Sequence, residues 1–345
     1  MQHQIGCPLC FIVPYHMTKH VAENGDPAQR SAAIRSLAMA ERMRMRRTMI
    51  AAIPIDTPSA VGMKRRQVFD AKTIETLPGN LVRTEGSSPV SDVHAEEAYD
   101  GAGLAYDLMH DLFNRNSIDG NGMQLDSTIH YGRNYDNAFW DGRQMVYGDG
   151  DGKIFNRFTG SIDVIVHEHW HGVTQHTAQL VYWEQSGALN EHMSDVFGSV
   201  ARIRLLKAGV KNYDWLIGAG MLAPGINGTG LRSMKDPGTA YNDKLLGKDP
   251  QPGHMKDYID TADDSGGVHL NSGIPNKAFY LACEQLDDYM KPAQIWYATL
   301  CKYLRSRSQF TDMAAMSAKA AADLYGANST EQQAIQKAWG AVGVS

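Results

Sequence analysis

His167, Glu168 and His171 stand in the spacing HExxH within the run Val164-Ile-Val-His-Glu-His-Trp-His-Gly-Val-Thr-Gln175. On a helix, residues four apart lie one turn above each other, so the two imidazoles can grip one ion while Glu168 leans toward a water on it. A hydrolytic site of this kind needs a third protein ligand and one exchangeable position. The stretch Ser186-Gly-Ala-Leu-Asn-Glu-His-Met-Ser-Asp195 offers Glu191, twenty residues after His171 and at the head of another helical pattern. Asp195 falls one turn later on the same face, placed to accept the outer N–H of a metal-bound histidine, and Asn190 is grouped with it as a supporting residue. Two His, one Glu and a water describe hydrolytic zinc.

The neighbouring histidines sort by geometry. His169 lies two residues from each proposed ligand, faces the other side of the helix and reads as structural. His176 does not extend the motif to HExxHxxGxxH, because Thr174 and Thr177 stand where Gly and His are required. Amide hydrolysis also needs donors for the charge that develops on the carbonyl oxygen. The stretch Asp263-Asp-Ser-Gly-Gly-Val-His-Leu-Asn-Ser-Gly273 puts His269 beside glycines that let a substrate approach, with Asp264 available to orient and charge the imidazole. Tyr182 can add a phenol donor.

At 345 residues the chain is long enough for about two domains with sizeable cores. Charged residues at 21% and hydrophobic ones at 43% argue against disorder. Apolar runs stay well short of the roughly 18 residues that span a bilayer. A net charge of −5 gives no reason to expect nucleic acid as a partner. The charge is uneven, since residues 1 to 66 carry ten Lys or Arg against four Asp or Glu, and the remainder is acidic. Four cysteines are too few for a disulfide scaffold; Cys283 and Cys301 read as buried free thiols, and Cys7 and Cys10 as a lone CxxC without a second pair. The N-terminus lacks a basic n-region, so export by a secretory leader is not expected.

Around these residues the chain divides by pattern. Asp26 and Pro27 start a helix expected to reach about Arg47, its basic end Arg42-Met-Arg-Met-Arg-Arg47 able to dock on the acidic remainder or be cleaved. Residues 51 to 66 read as a flexible linker. From Gln67 to about Phe158 short β-branched and aromatic runs suggest a β-rich lobe with one helix near Glu96 to Asn114. Gln144 to Phe155 reads as a hairpin, and its GDGDG lacks EF-hand spacing. Beyond Ser161 the chain is expected to be mostly helical, with helices at Pro292 to Tyr303, Thr311 to Tyr325 and Glu331 to Ala341, the last capped by Ser329 and Gln332.

From about Leu77 onward the sequence resembles the thermolysin-like zinc metallopeptidases, and among them the protealysin-like members with a short N-terminal pro-segment. The resemblance rests on Asn137-Ala-Phe-Trp140, Met145-Val-Tyr-Gly-Asp-Gly-Asp-Gly152, the HExxH helix, Ser186-Gly-Ala-Leu-Asn-Glu191, Leu231-Arg-Ser-Met234, Gly266-Gly-Val-His-Leu-Asn-Ser-Gly273 and Asp323-Leu-Tyr-Gly326. It implies an α+β, two-lobed fold: a β-rich lobe at 67–185 that includes the zinc helix, a helical lobe at 186–345, and a propeptide at 1–60 with one helix.

The resemblance further implies that His167, His171 and Glu191 bind one zinc, Glu168 is the general base, and His269 with Tyr182 stabilises the oxyanion. Asn137, Ala138 and Arg232 would contact the peptide backbone. Phe155, Phe158, Val164 and Leu231 would line the pocket for the side chain after the scissile bond, giving cleavage before bulky hydrophobic residues. Family members often hold a double calcium site; Asp163 and Asp214 fit it, while Leu216 and Ala219 stand where acids are expected, so the site looks incomplete. Phe11-Ile-Val-Pro-Tyr15 approximates the Pro/Tyr motif of the pro-segments, implying a monomeric zymogen with its own propeptide as inhibitor, self-cleaved between about Arg47 and Gln67, with protein or peptide substrates. Relatives suggest leaderless bacterial secretion, with a cytoplasmic location as the alternative. The competing readings are a catalytically silent zinc-binding relative, a structural zinc protein and an aminopeptidase.

Overall fold

A computed structural model describes residues 10–50 and 62–344. Cys7 and most of the expected linker lie outside the described residues. The chain begins with β1 (Cys10–Phe11), α1 (Tyr15–Asn24) and α2 (Pro27–Ile50), so the N-terminal segment carries two helices where one was expected. Their junction is a capping box: Asp26 accepts the N–H groups of Ala28 and Gln29 at 2.8 and 2.9 Å, and the Gln29 side chain returns to the Asp26 N–H.

The β-rich lobe contains β2 (Arg66–Asp70), β3 (Asn80–Thr84), α3 (Val93–Phe113), β4 (Leu125–Ile129), β5 (Ala138–Trp140) and β6 (Met145–Tyr147). With β1 they make a six-stranded sheet in the order β1-β5-β6-β4-β2-β3, parallel between β2, β4 and β6 and antiparallel at both edges. The hairpin expected over Gln144 to Phe155 is absent: β6 pairs with β5 and β4, while Asp151 turns the following chain by accepting the N–H groups of Lys153 and Ile154. Residues 64–66 are not linker either. Lys64 pairs with Asp107 at 2.6 Å, the Arg65 carbonyl accepts the Leu125 N–H, and Arg66 enters β2 and pairs with Glu85.

Two long helices then cross the middle of the molecule, α4 (Ile162–Gln175) and α5 (Glu184–Leu206). Both are buried along most of their length, which explains apolar residues on several faces rather than one stripe. Gly172 lets α4 lie against the sheet, since a Cβ there would meet Ile118 at 2.7 Å and the Trp140 ring at 3.1 Å.

The expectation of mostly helical structure beyond Ser161 fails between Lys207 and Asp263. That stretch is rich in Gly, Pro, Asn and Asp and forms the two-residue ladders β7 (Leu216–Ile217) with β8 (Arg232–Ser233) and β9 (Asn242–Asp243) with β10 (Gly247–Lys248), followed by one 3-10 turn at Met255–Asp257. Helices resume as α6 (Asp264–Asn271), α7 (Gly273–Leu286), α8 (Met290–Ala298), α9 (Phe310–Tyr325) and α10 (Thr330–Ala341). The helix expected to run to Tyr303 is α8 followed by a π turn at Thr299–Tyr303. Cys283 is buried, Cys301 half-buried, and both are free.

Candidate active site

His167 and His171 project from one face of α4 with their Nε2 atoms 3.0 Å apart. Glu191, on α5, brings Oε2 to 3.3 Å from the His167 Nε2 and Oε1 to 3.4 Å from that of His171. All three side chains are completely buried. Their outer nitrogens are held: His167 Nδ1 faces Asp195 at 2.9 Å, and His171 Nδ1 faces the Asn190 carbonyl oxygen at 2.8 Å and the Ser194 hydroxyl at 3.1 Å. With the outer nitrogens held in this way, both Nε2 atoms face the Glu191 carboxylate.

Burial alone would lower the His167 pKa, yet Asp195 and Glu191 outweigh it and raise it to about 9. The pocket thus draws positive charge. Glu191 Oε2 and Glu168 Oε1 are buried without a hydrogen-bond partner. Two imidazoles, one carboxylate and unsatisfied buried oxygens fit a zinc ion with an open position.

Glu168 is anchored through Oε2 by the Trp140 N–H at 3.0 Å, and burial pushes its pKa up to about 8. His269 approaches from α6. The four residues Asp264 to Gly267 all have left-handed backbone, and at Gly266 a Cβ would come within 2.7 Å of Glu184, so glycine is required there. This turn brings Asp264 back onto His269, whose Nδ1 lies 2.7 Å from Asp264 Oδ1. Burial opposes the charge on His269, but Asp264 and Glu191 raise its pKa above the ordinary value. The Tyr182 hydroxyl donates to Glu191 and stands 3.2 Å from His269 Nε2.

The N-terminal segment crosses this site as an extended peptide. β1 lies antiparallel to β5, with Phe11 opposite Phe139. The Ile12 N–H donates to the Ala138 carbonyl at 3.2 Å, and Arg232 Nη1 donates to the Ile12 carbonyl at 3.1 Å. Asn137 accepts the Val13 N–H at 3.0 Å and donates to its carbonyl at 3.4 Å. His269 Nε2 meets the Phe11 carbonyl at 2.9 Å. Ile12 is fully buried. Phe155 and Phe158, with ring centroids 5.9 Å apart, are buried, as are Val164 and Leu231.

Profiles of the thermolysin metallopeptidase catalytic domain and alpha-helical domain match residues 57–175 and 178–344. The chain belongs to the thermolysin metallopeptidase family. It is 46% identical over 343 residues to an extracellular metalloprotease of Pectobacterium carotovorum subsp. carotovorum, covering 98% of this chain and 97% of that protein. Protease PrtS of a Photorhabdus strain is 49% identical over 284 residues, 81% of this chain and 76% of that protein. Among solved structures, the precursor of protealysin, a metalloproteinase from Serratia proteamaculans, superposes with a TM-score of 0.89 at 47% identity, covering 97% of this chain and 100% of that one. The two-lobed α+β architecture is therefore that of the family, and the chain is a metalloendopeptidase of a zinc-dependent family.

Sequence reasoning missed several partners in the site. Asp195 also accepts Arg232 through Nε and Nη2 at 3.0 and 2.9 Å, and the Asn276 amide at 2.8 Å. Asn276 lies 81 residues away with no local motif to mark it. The backbone N–H of Trp140 leaves no trace in residue type at all. His169, read as structural, donates to or accepts at no ligand: its Nδ1 faces the Ile165 carbonyl at 2.7 Å, and burial lowers its pKa to about 4.

Proposed function

We propose that His167, His171 and Glu191 hold one catalytic zinc, with Asp195 and Asn190 orienting the two histidines. When bound, the ion would bring the pKa of its water toward about 7 and polarise the neighbouring carbonyl. Glu168 takes the proton from the attacking water and delivers it to the leaving nitrogen. His269, charged through Asp264, donates to the carbonyl oxygen as negative charge develops, and Tyr182 adds its phenol beside it. Asn137, Ala138 and Arg232 fix the substrate backbone after the scissile bond. Phe155, Phe158, Val164 and Leu231 form the pocket that selects a bulky hydrophobic side chain there.

One observation carries this reading: residues 11–13 of the chain already lie along Asn137, Ala138, Arg232 and His269 with the backbone pairing of an extended peptide. That register would put the Phe11–Ile12 bond at the scissile position and the buried Ile12 side chain at the proposed pocket. The N-terminal segment is thereby an intramolecular inhibitor, tied further by Lys19 to Asp263 at 3.1 Å and Arg42 to Glu75 at 3.3 Å. Separation of the three parts at about 60–67 and 185–186, and self-cleavage between about Arg47 and Gln67, belong to the same reading, as does secretion in the manner of the extracellular relative.

Calcium is not required in this scheme. Asp163 is buried and accepts the Gly218 N–H at 2.9 Å, while Asp214 forms a two-point pair with Arg202 at 2.6 and 2.8 Å. The Arg202 guanidinium compensates Asp214 directly, while burial holds the Asp163 carboxyl above the usual range despite the Ser161 hydroxyl and the more distant Arg202 charge.

Digestion of casein by the purified protein, with Glu168→Ala as control, tests the assignment. Cleavage before Leu, Phe or Ile should fall by about 10²–10⁴ in the variant, which keeps its zinc. Equal cleavage by both proteins would remove Glu168 from its role.

A further inference from the structure

His94, His130 and Asp149 form a second group whose ligand atoms lie within 4.8 Å of one another, away from the active site. His94 sits in the first turn of α3, His130 directly follows β4 and Asp149 follows β6. Nothing in their sequence spacing suggests a motif. The sheet brings β4 and β6 together as parallel neighbours, and α3 packs against β4.

We propose that these three side chains bind a divalent transition ion of the zinc type. The arrangement repeats the chemistry of the catalytic triad of ligands. There, Asp195 holds the outer nitrogen of His167; here, Asp92 Oδ2 holds His130 Nε2 at 2.8 Å, which directs Nδ1 toward Asp149. Asp92 Oδ1 also caps α3 by accepting the His94 N–H at 2.9 Å, so one carboxylate positions both histidines.

His130 Nδ1 lies 2.8 and 2.9 Å from the two Asp149 oxygens. His94 Nδ1 is buried, makes no hydrogen bond, and stands 3.3 Å from Asp149 Oδ1. These separations are close to the 3.0 to 3.4 Å found among His167, His171 and Glu191. The imidazole centroids are 4.7 Å apart in both places.

Two nitrogens and one carboxylate select a zinc-type ion over calcium or magnesium, which take oxygen ligands. The side chains of His94, His130 and Asp149 are 18%, 20% and 30% exposed, so solvent can deliver the ion and complete its coordination. Glu97, the nearest other acid on α3, is committed to Arg157 and Thr159. A bound ion would fasten the start of α3 to the turn that leads from β6 toward Phe155. Its effect is on stability rather than on the chemical step.

The test uses the full-length chain carrying Glu168→Ala, which prevents self-digestion. The protein is equilibrated with zinc at pH 8, gel-filtered and its metal content measured by mass spectrometry. About two equivalents are expected, falling to about one with His94→Ala and with His130→Asn, a residue that tolerates the left-handed backbone of position 130 (φ +52°). His171→Ala should remove the other equivalent, so the two sites fail independently. Zinc added to protein already holding one equivalent should raise the melting temperature, and His94→Ala should erase that rise. A single equivalent in the parent chain, or a second that survives both His94→Ala and His130→Asn, overturns the proposal.

Discussion

Ile12 is the residue on which latency should depend most steeply. It is fully buried where the N-terminal segment crosses the site, and its backbone contacts to Ala138 and Arg232 do not involve its side chain. Ile12→Ala therefore removes buried apolar volume while leaving the peptide pairing possible. Truncations of this kind cost about 2–5 kcal/mol. Taking about 3 kcal/mol, the ratio of displaced to docked segment rises roughly 150-fold. The assay is the initial rate of the intact precursor on a quenched fluorogenic peptide, with mass spectrometry confirming that the chain is still full length during the measurement. The variant should be faster by up to that factor, until the displaced form saturates, whereas Ile12→Leu should stay near the parent rate. The same register makes a separate claim: processed enzyme should cut a synthetic peptide of residues 8–20 between Phe11 and Ile12. An Ile12→Ala precursor as slow as the parent, with the peptide cut elsewhere, would refute the substrate-like register.

Asp195→Asn keeps the shape of a group that Arg232 and His167, against the opposing effect of burial, hold far below the usual carboxylate range. It should weaken zinc retention by about 10- to 100-fold in a chelator competition, and undiminished retention would remove Asp195 from the ligand support. Calcium-specific chelation should leave the melting temperature unchanged while 1,10-phenanthroline abolishes cleavage; unfolding by the former would restore a calcium site. Burial beside Asp151 pushes Asp136 up to about 8, so the folded state takes up a proton there more readily than the unfolded chain, whose carboxylate titrates near about 3.9. Stability is therefore lost as pH rises from about 4 through 8. Asp136→Asn should be more stable than the parent at pH 8, by about 1–2 kcal/mol in chemical denaturation after allowing for partial solvent screening, and the two should converge at pH 4. A gap independent of pH would show that the carboxylate charge is not the cause.

The parts of the site set by helix periodicity could be read directly. His167 and His171, and separately Glu191 and Asp195, each fall one turn apart, and that geometry is local. What holds the two helices together is not local: Asn276 on α7, the Trp140 N–H on β5 and the Arg232 guanidinium on β8 reach the site from distant points in the chain. The hairpin reading of Gln144 to Phe155 failed for a related reason. A turn-rich segment flanked by apolar residues satisfies the hairpin pattern, but β6 already has partners in β4 and β5, and Asp151 consumes the donors that a second strand would have offered. The expectation of mostly helical structure beyond Ser161 passes over the Lys207 to Asp263 stretch, which is rich in turn-forming residues yet carries large apolar side chains. Those side chains, Trp215, Met221 and Leu231 among them, are buried from backbone outside any helix, and burial alone does not distinguish that from a helix.

Asp195 links the proposed ligands His167, His171 and Glu191 to the peptide cleft. Its two oxygens receive His167 Nδ1, the Arg232 fork and the Asn276 amide, all in a fully buried setting. The remaining guanidinium nitrogen of Arg232 holds the carbonyl of Ile12. A carboxylate buried with a single partner would be poorly compensated for its lost hydration, whereas here the Arg232 charge balances it directly. An ion that changes the charge carried by His167 therefore changes the field at Asp195 and, through it, at the group that grips the peptide. Binding of metal and binding of peptide in this cleft should be coupled even without shared ligands, and by linkage the coupling must be equal in both directions. The N-terminal segment consequently has two grounds for staying in place: the burial of Ile12, and an Arg232 whose orientation is fixed by the same carboxylate that holds His167, the proposed ligand.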